Sequence, residues 1–345
     1  MIKSSEISVV IQGEICPETK KVIKSVKKFL PDAEIIISTW KGNNINGLLF
    51  DKVIFNKDIG AVAFRLNGQK HNLNRQIVST FNGVKEAKRK YVLKLRSDVA
   101  LLNKNFLKYF DKFPCRDSKY KIFDKRIIIT NVYTRNSSPE LKCLFHPSDW
   151  VMFGLKNDVY KMWNIPLAPE PETSQWFKTH KKPVYDIFPD FLTRYHAEQY
   201  IWTSVLKKNG VNFKFNNYLS YSKKLIKISE RSIFNNFIIL DYKPKFSFLN
   251  LKYPRTIQDN TLIYFYDFIL AYKKYSNVCF RIPKTLQFKN DKKILKTVSK
   301  IKKHFSRISG PIYFLLKVIN ETLATIFYII KLPLDILIES FKILK

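Results

Sequence analysis

Residues 72–101, NLNRQIVSTFNGVKEAKRKYVLKLRSDVAL, decide the class of fold that this sequence predicts. The first part carries apolar residues at helical spacing and predicts a helix from residue 72 to residue 88. The second part, YVLKL at residues 91–95, is a short apolar run typical of a buried strand. A helix that leads directly into such a strand is one unit of an α/β sheet.

The same alternation of apolar runs and amphipathic stretches extends from the start of the chain to about Ser220. The apolar runs predict further strands, and the stretches with helical periodicity predict helices between them. The expected strands are 7–11, 35–38, 52–55 and 127–130, and the expected helices are 19–30 and 197–208. We therefore expect an α/β domain, with a sheet flanked by helices.

Three charged residues lie on one face of the stretch YVLKLRSD, residues 91–98. Lys94, Arg96 and Asp98 share that face because side chains alternate along a strand. Three charges there are costly to bury without a purpose, and ligands of open α/β sheets bind beyond the carboxyl ends of the strands. The pattern favours a metal-bridged diphosphate, with Asp98 on a divalent ion and Arg96 or Lys94 on phosphate. The alternative is a buried salt-bridge cluster that ties the strand to a neighbouring helix.

The sequence changes character after about Ser220. The chain has 345 residues and a net charge of +33, and residues 221–345 hold 24 Lys+Arg against 8 Asp+Glu. We expect two units, a catalytic domain at residues 1–220 and a basic, mainly helical C-terminal region at residues 221–345. A chain this basic is attracted to anionic lipid, nucleic acid or phosphorylated substrates, and the charge alone does not choose among them.

The end of the C-terminal region combines a basic segment with an amphipathic one. Residues 281–310 hold ten Lys+Arg and one acid, and residues 311–345 place most charges on one stripe of an otherwise apolar helix. This order favours an anionic membrane surface; the alternative is a helix packed on the catalytic domain or on a second subunit. No run without charged residues exceeds nine positions, whereas a spanning helix needs about 20 mostly apolar residues. We expect a cytoplasmic protein, peripheral on the inner face of the cytoplasmic membrane.

A series of short motifs resembles the WavE-type lipopolysaccharide-synthesis family. The motifs occur in the family's order over residues 7–210 and are specific in combination, though weak singly. The family looks like a branch of the nucleotide-sugar glycosyltransferases, so the resemblance implies a GT-A-like, Rossmann-type nucleotide-sugar-binding sheet. The motifs are QG at 12–13, LPDAEIIISTWKG at 30–42, NLNRQ at 72–76, KLRSD at 94–98, HPSDWVMFG at 146–154 and AEQY at 197–200.

The resemblance also implies a donor site at the ends of the first two strands and at the start of the helix at 72–88. In such enzymes the strand ends line the base and ribose, and an Asn/Arg pair faces the nucleotide diphosphate. Two of the candidates have plain alternatives, since Trp40 could be a core aromatic residue and Arg75 a surface cation at a helix start. The donor candidates are Gln12, Gly13, Thr39, Trp40, Asn74 and Arg75.

The RSD sequence at residues 96–98 stands where the resemblance places the metal-binding DxD motif. Asp98 would be the surviving last carboxylate and would hold Mn²⁺ or Mg²⁺. Arg96 stands where the first acid is usual, which leaves the metal dependence open because a guanidinium can itself neutralise a diphosphate. Lys94, Arg96 and Asp98 are thus further candidates for contacts with the donor.

The HPSDWVMFG motif lies where GT-A folds close the acceptor side of the site. His146, Ser148 and Trp150 are candidates for acceptor binding, because polar groups beside large apolar ones suit a sugar ring. The alternative is that the Pro-Ser-Asp sequence forms only a turn and a helix cap.

Two acids are candidates for the general base that an inverting transferase needs to deprotonate its acceptor. They are Asp149 and Glu198, and Glu198 is slightly preferred. The alternative for Glu198 is structural, because a carboxylate at a helix N-terminus is stabilised by the helix dipole. His196 is a weaker candidate.

These observations favour a glycosyltransferase that moves a sugar from a nucleotide-sugar donor to a lipid-linked glycan of lipopolysaccharide or capsule. Two other classes stay open. A basic nucleic-acid-binding protein fits the charge, but no recognition motif supports specific binding of nucleic acid. A non-catalytic, membrane-associated scaffold with a degenerate transferase fold fits the altered RSD motif.

Overall fold

A central sheet organises the fold in this computed structural model, which describes residues 2–139, 141–182, 188–242, 247–252 and 261–275. Seven strands form this sheet in the order β10-β8-β9-β6-β1-β2-β3, beside two small two-stranded ribbons, β11-β7 and β4-β5. The described strands are β1 (Ile7–Gln12), β2 (Glu34–Trp40), β3 (Lys52–Asn56), β4 (Val62–Ala63), β5 (Lys70–His71), β6 (Tyr91–Arg96), β7 (Val99–Leu101), β8 (Ile127–Thr130), β9 (Val151–Leu155), β10 (Phe237–Leu240) and β11 (Phe248–Asn250).

The sheet is mostly parallel, and one strand is reversed. β9 pairs antiparallel with both β6 and β8, whereas the other neighbouring strands pair in parallel. The strands are apolar on both faces, as is usual when helices cover a parallel sheet on both sides. Because β9 runs the other way, it begins at the edge of the sheet where the other six strands end.

Helices flank this sheet. α2 packs against β1 and β2, α3 against β9, and α5 and α6 against β10. At Gly83 in α2 a Cβ atom would lie 2.5 Å from Cγ1 of Val10, so only glycine lets this helix approach β1 so closely. The described helices are α1 (Thr19–Phe29), α2 (Leu73–Glu86), α3 (Lys156–Trp163), α4 (Ala197–Lys208), α5 (Lys223–Asn236) and α6 (Phe265–Tyr275).

The predicted α/β architecture is confirmed, and the five predicted strands correspond to β1, β2, β3, β6 and β8. The three predicted helices correspond to α1, α2 and α4. The sequence did not single out β9 or β10. β10 follows residue 220 and pairs with β8, with Phe237 opposite Ile127, so the sheet continues past the expected boundary between the two units. All the described residues belong to one compact unit.

The predicted amphipathic tail at residues 281–345 lies outside the described residues. Among the residues that the structure does describe, no helix combines the length and the apolar character needed to cross a bilayer.

Candidate active site

Charged side chains gather at the edge of the sheet where β6 ends and β9 begins. Arg96 is the last residue of β6, and Trp150 directly precedes β9. The antiparallel register sets Val151 opposite Leu95, which brings Trp150 next to Arg96. The central charged cluster, as we call it, consists of Lys94, Arg96, Asp98, His146, Asp149 and Glu198.

Arg96 and Asp98 form a two-point ion pair within this cluster. Nε and Nη2 of Arg96 donate to the two carboxylate oxygens of Asp98, at 3.0 and 2.9 Å. The side chain of Asp98 is 6% exposed and that of Arg96 is 31% exposed. The guanidinium carbon lies 4.4 Å from the centre of the Trp150 ring, a cation–π contact that helps to fix it. An ion pair is thus present, as the alternative for this strand predicted, but it joins the end of β6 to the turn that follows and not the strand to a helix.

Lys94 is fully buried and points at the segment that leads into β9. Its Nζ donates to the backbone carbonyl of Asp149 and lies 3.4 Å from that of Trp150. Burial lowers the pKa of Lys94 to about 7, because the charged amine is poorly solvated there. The described contacts of this amine are therefore with the protein itself, and they hold the start of β9 in place.

Asp149 joins the cluster to the first turn of α2. Its Oδ2 accepts a hydrogen bond of 2.6 Å from Nε2 of Gln76. Sequence reasoning missed Gln76, although it is the last residue of the NRQ motif from which Asn74 and Arg75 were chosen. The motif itself was therefore the signal for this contact.

Glu198, in the first turn of α4, lies beside His146, with Oε2 at 3.4 Å from Nε2. Nδ1 of His146 is 2.7 Å from the carbonyl oxygen of Tyr133. Because a carbonyl only accepts, Nδ1 carries the proton, and Nε2 presents its lone pair to Glu198 while the ring is neutral. Burial holds the pKa of His146 well below its usual range, which keeps the ring neutral.

The carboxyl group of Glu198 is the proton-binding partner of this pair. Burial, and after it the negative charge of Asp149, raises the pKa of Glu198 to about 8. Near neutral pH Glu198 therefore holds a proton that faces the lone pair of His146. The two predicted acids are therefore close enough for the charge of Asp149 to act on Glu198.

The loop at residues 131–150 supplies the wall beside this pair. Tyr133 has a φ of 58°, a left-handed conformation that is uncommon for a bulky residue and is often found at functional sites. Its ring packs edge-on against Trp150, with centroids 5.7 Å apart. Ser148 is fully buried and bonds within the loop, since its N–H donates to Thr134 Oγ1 at 2.9 Å. Of the predicted acceptor residues, Trp150 is the one with a partly exposed side chain, and Tyr133 is a neighbour that the sequence did not reveal.

The donor candidates lie at the same edge of the sheet, where β1 and β2 end and α2 begins. Gln12 Oε1 accepts 2.8 Å from Ser79 Oγ, and Trp40 is buried. Gly13 has a φ of 113°, which favours glycine where the chain leaves β1. The α2 edge, as we call this group, consists of Gln12, Gly13, Thr39, Trp40, Asn74 and Arg75.

The two polar residues of α2 in this group are already engaged. Asn74 bonds the backbone of Ala168 twice, as Nδ2 donates to its carbonyl and Oδ1 accepts from its N–H, both at 2.8 Å. Nε of Arg75 donates to Asp58 Oδ1 at 2.6 Å, and the guanidinium carbon lies 5.7 Å from the centre of the Trp40 ring. Asn74 also lines a cavity of about 230 Å³, whose wall includes the carboxyl group of Glu170.

The surroundings of Asp98 do not fit a resident divalent metal ion. Both of its carboxylate oxygens accept hydrogen bonds from Arg96. Within the described part of the chain, no group of three or more His, Cys, Asp or Glu side chains could hold a metal ion. Mg²⁺ in phosphate-binding sites usually takes one or two protein carboxylates, but the carboxylate of Asp98 is already engaged by Arg96. The guanidinium of Arg96 supplies the positive charge at this place.

The structure is that of an α/β protein whose buried charges lie at the carboxyl edge of the sheet, the edge where such sheets bind their ligands. The chain matches the WavE family of lipopolysaccharide synthesis over residues 7–303, nearly its whole length, and it belongs to that family. The match extends past residue 210, where the resemblance of the motifs ends, and so includes β10 and the chain as far as residue 303. The protein therefore has a role in lipopolysaccharide synthesis. No curated protein matches the sequence.

Proposed function

We propose that this protein is a glycosyltransferase with a GT-A-like fold, which transfers a sugar from a nucleotide-sugar donor to a lipid-linked glycan of lipopolysaccharide or capsule. The central charged cluster is the observation that carries this proposal. It combines a cation and buried acids at the edge where α/β sheets bind their ligands. Membership of the WavE family supports a substrate from lipopolysaccharide synthesis.

Arg96 is the proposed contact for the donor diphosphate. Its Nε and Nη2 bind Asp98, and none of the described residues bonds Nη1. A guanidinium that is anchored on one side and open on the other binds phosphate oxygens well. Asp98 orients the guanidinium, and the guanidinium stabilises the negative charge that develops on the leaving diphosphate. This arrangement supports transfer that does not depend on a metal ion.

Glu198 is the proposed general base. The acceptor hydroxyl oxygen attacks the anomeric carbon, the bond from that carbon to the diphosphate oxygen breaks, and the hydroxyl proton passes to an ionised Glu198. The raised pKa of Glu198 supports this role, because a base with a pKa near the working pH is both available and strong. Asp149 is less suitable, since Oδ2 is already bonded to Gln76.

The basic segment at residues 281–310 supports a further proposal, that the enzyme attaches to anionic membrane from the cytoplasmic side. Each cation near such a surface contributes about 1 kcal/mol of attraction, and salt screens it. We expect the full chain to float with liposomes that contain acidic lipid at low salt and to be released at high salt. Equal binding to neutral liposomes would contradict attachment by charge.

Calorimetric titration of the full chain with UDP, GDP, ADP and CDP and their sugar esters, in EDTA, tests the donor site. We expect one nucleotide to bind without metal, and Arg96→Lys to weaken this binding because a lysine cannot reproduce the fork of donors. Arg231→Lys is the matched control, since Arg231 pairs with Asp117 at 3.2 Å and is exposed to a similar extent.

A transfer assay with rough lipopolysaccharide as acceptor then tests the reaction. Transfer of a radiolabelled sugar is the expected result. Nucleotide binding without any transfer would favour the degenerate scaffold, and salt-resistant co-purification with nucleic acid without nucleotide binding would favour the nucleic-acid-binding protein.

A further inference from the structure

Tyr242, just after β10, carries a buried hydroxyl group. The residue is 6% exposed, and the hydroxyl has no hydrogen-bond partner among the residues that the structure describes. Most buried polar groups are hydrogen-bonded, and leaving one unsatisfied costs about 1–3 kcal/mol. A phenylalanine would fill the same space without that cost.

Contacts of the backbone and of the ring hold Tyr242 in place. Tyr242 follows β10, and its backbone N–H donates to Asn131 Oδ1 at 2.7 Å. Its ring packs edge-on against Trp150, with centroids 6.4 Å apart and planes at 85°. Trp150 is also the ring on which the guanidinium of Arg96 lies. Tyr242 is therefore held against the central charged cluster from the side of β10.

The charges of that cluster reach the phenol. Burial, and after it the carboxylate of Asp98, raises the pKa of Tyr242 above its usual range, while Arg96 opposes this. The hydroxyl therefore keeps its proton at every pH at which the protein works. It is a neutral O–H donor with nothing in the described structure to donate to.

Two unused donors thus lie around one aromatic ring. One is Nη1 of Arg96, which no described residue bonds, and the other is the hydroxyl of Tyr242. Both groups donate, and a protonated phenol and a guanidinium suit an anion with several acceptor oxygens. A diphosphate offers such oxygens.

On this basis we propose that Tyr242 is a donor-binding residue, whose hydroxyl donates to an oxygen of the nucleotide-sugar diphosphate that Arg96 also contacts. The inference rests on the proposed function, because it needs a diphosphate at Arg96. It adds a residue from the segment after residue 220, which none of the sequence motifs covers.

The test is Tyr242→Phe in the full chain, measured by thermal unfolding without ligand and by calorimetric titration with UDP, GDP, ADP and CDP. The free variant should unfold at the same temperature as the wild type or at a higher one, because the hydroxyl makes no hydrogen bond with the residues that the structure describes. Its affinity for the nucleotide that the wild type binds should fall about 10- to 100-fold, the usual cost of losing one hydrogen bond to a charged group.

Tyr195→Phe is the matched control. Tyr195 is also a buried tyrosine, but its hydroxyl donates to the carbonyl of Phe215 at 2.9 Å. This variant should unfold at a lower temperature and keep the nucleotide affinity of the wild type. The two variants are therefore expected to change in opposite ways.

Two results would overturn the inference alone. One is an unchanged affinity in Tyr242→Phe while Arg96→Lys loses binding, which would leave the proposed function standing. The other is a loss of thermal stability like that of Tyr195→Phe, which would show that the hydroxyl serves the fold. If the wild type binds none of the nucleotides, the proposed function fails and the inference fails with it.

Discussion

The α2 edge and the central charged cluster lie at the same edge of the sheet, but they use their polar side chains differently. On the α2 edge, Asn74 bonds a backbone amide, and Arg75 forms an ion pair near the surface. In the cluster, ionisable groups are buried beside one another, and the pKa values of Lys94 and Glu198 move towards neutrality. Polar groups that bond one another hold a site in shape, whereas buried groups with shifted pKa values are suited to proton transfer.

Of the changes in these two regions, Glu198→Gln should have the largest effect on transfer. We expect transfer to slow by about 10²- to 10⁴-fold, the usual effect of losing a general base. In the wild type, kcat/KM should rise with pH through about 8, because only the ionised carboxyl accepts a proton. In the variant this rise should be absent. Rate measurements from pH 6 to pH 9.5 provide the check.

Asp149→Asn is the matched control for that experiment. It removes the charge that, after burial, raises the pKa of Glu198. The rise in kcat/KM should therefore move to lower pH and persist. If Asp149→Asn abolishes the pH dependence and Glu198→Gln keeps it, the two acids have exchanged roles and our assignment of the base is wrong.

The ion pair of Arg96 and Asp98 should respond unequally to the loss of either partner. Arg96→Met leaves the nearly buried carboxylate of Asp98 without its cation, which typically costs about 3–5 kcal/mol of stability. Asp98→Asn leaves a partly exposed guanidinium that water can solvate, so its cost should be smaller. Both should slow transfer by about 10²- to 10³-fold.

Urea unfolding and turnover measurements on the same preparations test this pair. Equal losses of stability would show that the exposure of the two groups does not set the cost. Full turnover in Asp98→Asn would contradict the role of Asp98 in orienting Arg96.

On the α2 edge, Asn74→Ala should affect stability more than transfer. It leaves the N–H and the carbonyl of the buried Ala168 without their partner, at a cost of about 1–3 kcal/mol. Asn74→Asp keeps the acceptor and loses the donor, so its stability should lie between that of the wild type and that of Asn74→Ala. A loss of nucleotide affinity as large as that of Arg96→Lys would instead place Asn74 on the diphosphate, as the resemblance to the family implies.

Arg75→Gln should have the smallest effect on folding. The pair with Asp58 lies near the surface, and exposed ion pairs contribute about 0–1 kcal/mol. Thermal unfolding at low and high salt should show little difference between the variant and the wild type. A large drop in the unfolding temperature would show that Arg75 supports the fold in a way that its contact with Asp58 does not explain.

The sequence predicts the sheet well where strands are short apolar runs next to amphipathic helices, as in the segment that holds α2 and β6. It also predicts that Lys94, Arg96 and Asp98 share one face at the carboxyl end of β6. It does not reveal the contact of Gln76 with Asp149, because the residues are far apart in the chain and β9 carries no mark of its reversed direction. Tyr242 is hidden for a similar reason, since it reaches Trp150 only because β10 lies beside β8.

The reversal of β9 has a consequence for how this family diversifies. Residues 131–150 leave the sheet from β8 and return to it at the same edge, and the N–H of Arg135 bonds the carbonyl of His146 at 3.0 Å near the base of this excursion. Within it, Cys143, Leu144 and Phe145 are buried, and the N–H of Phe145 donates to Ser229 Oγ at 2.7 Å. Residues 135–139 and 141–142 are at least partly exposed, so they can vary in sequence without altering the strand register. On the proposed function, we expect relatives with other glycan acceptors to vary more at residues 135–142 than at residues 143–145. Exchange of residues 135–142 should then alter acceptor preference while nucleotide preference stays with the recipient.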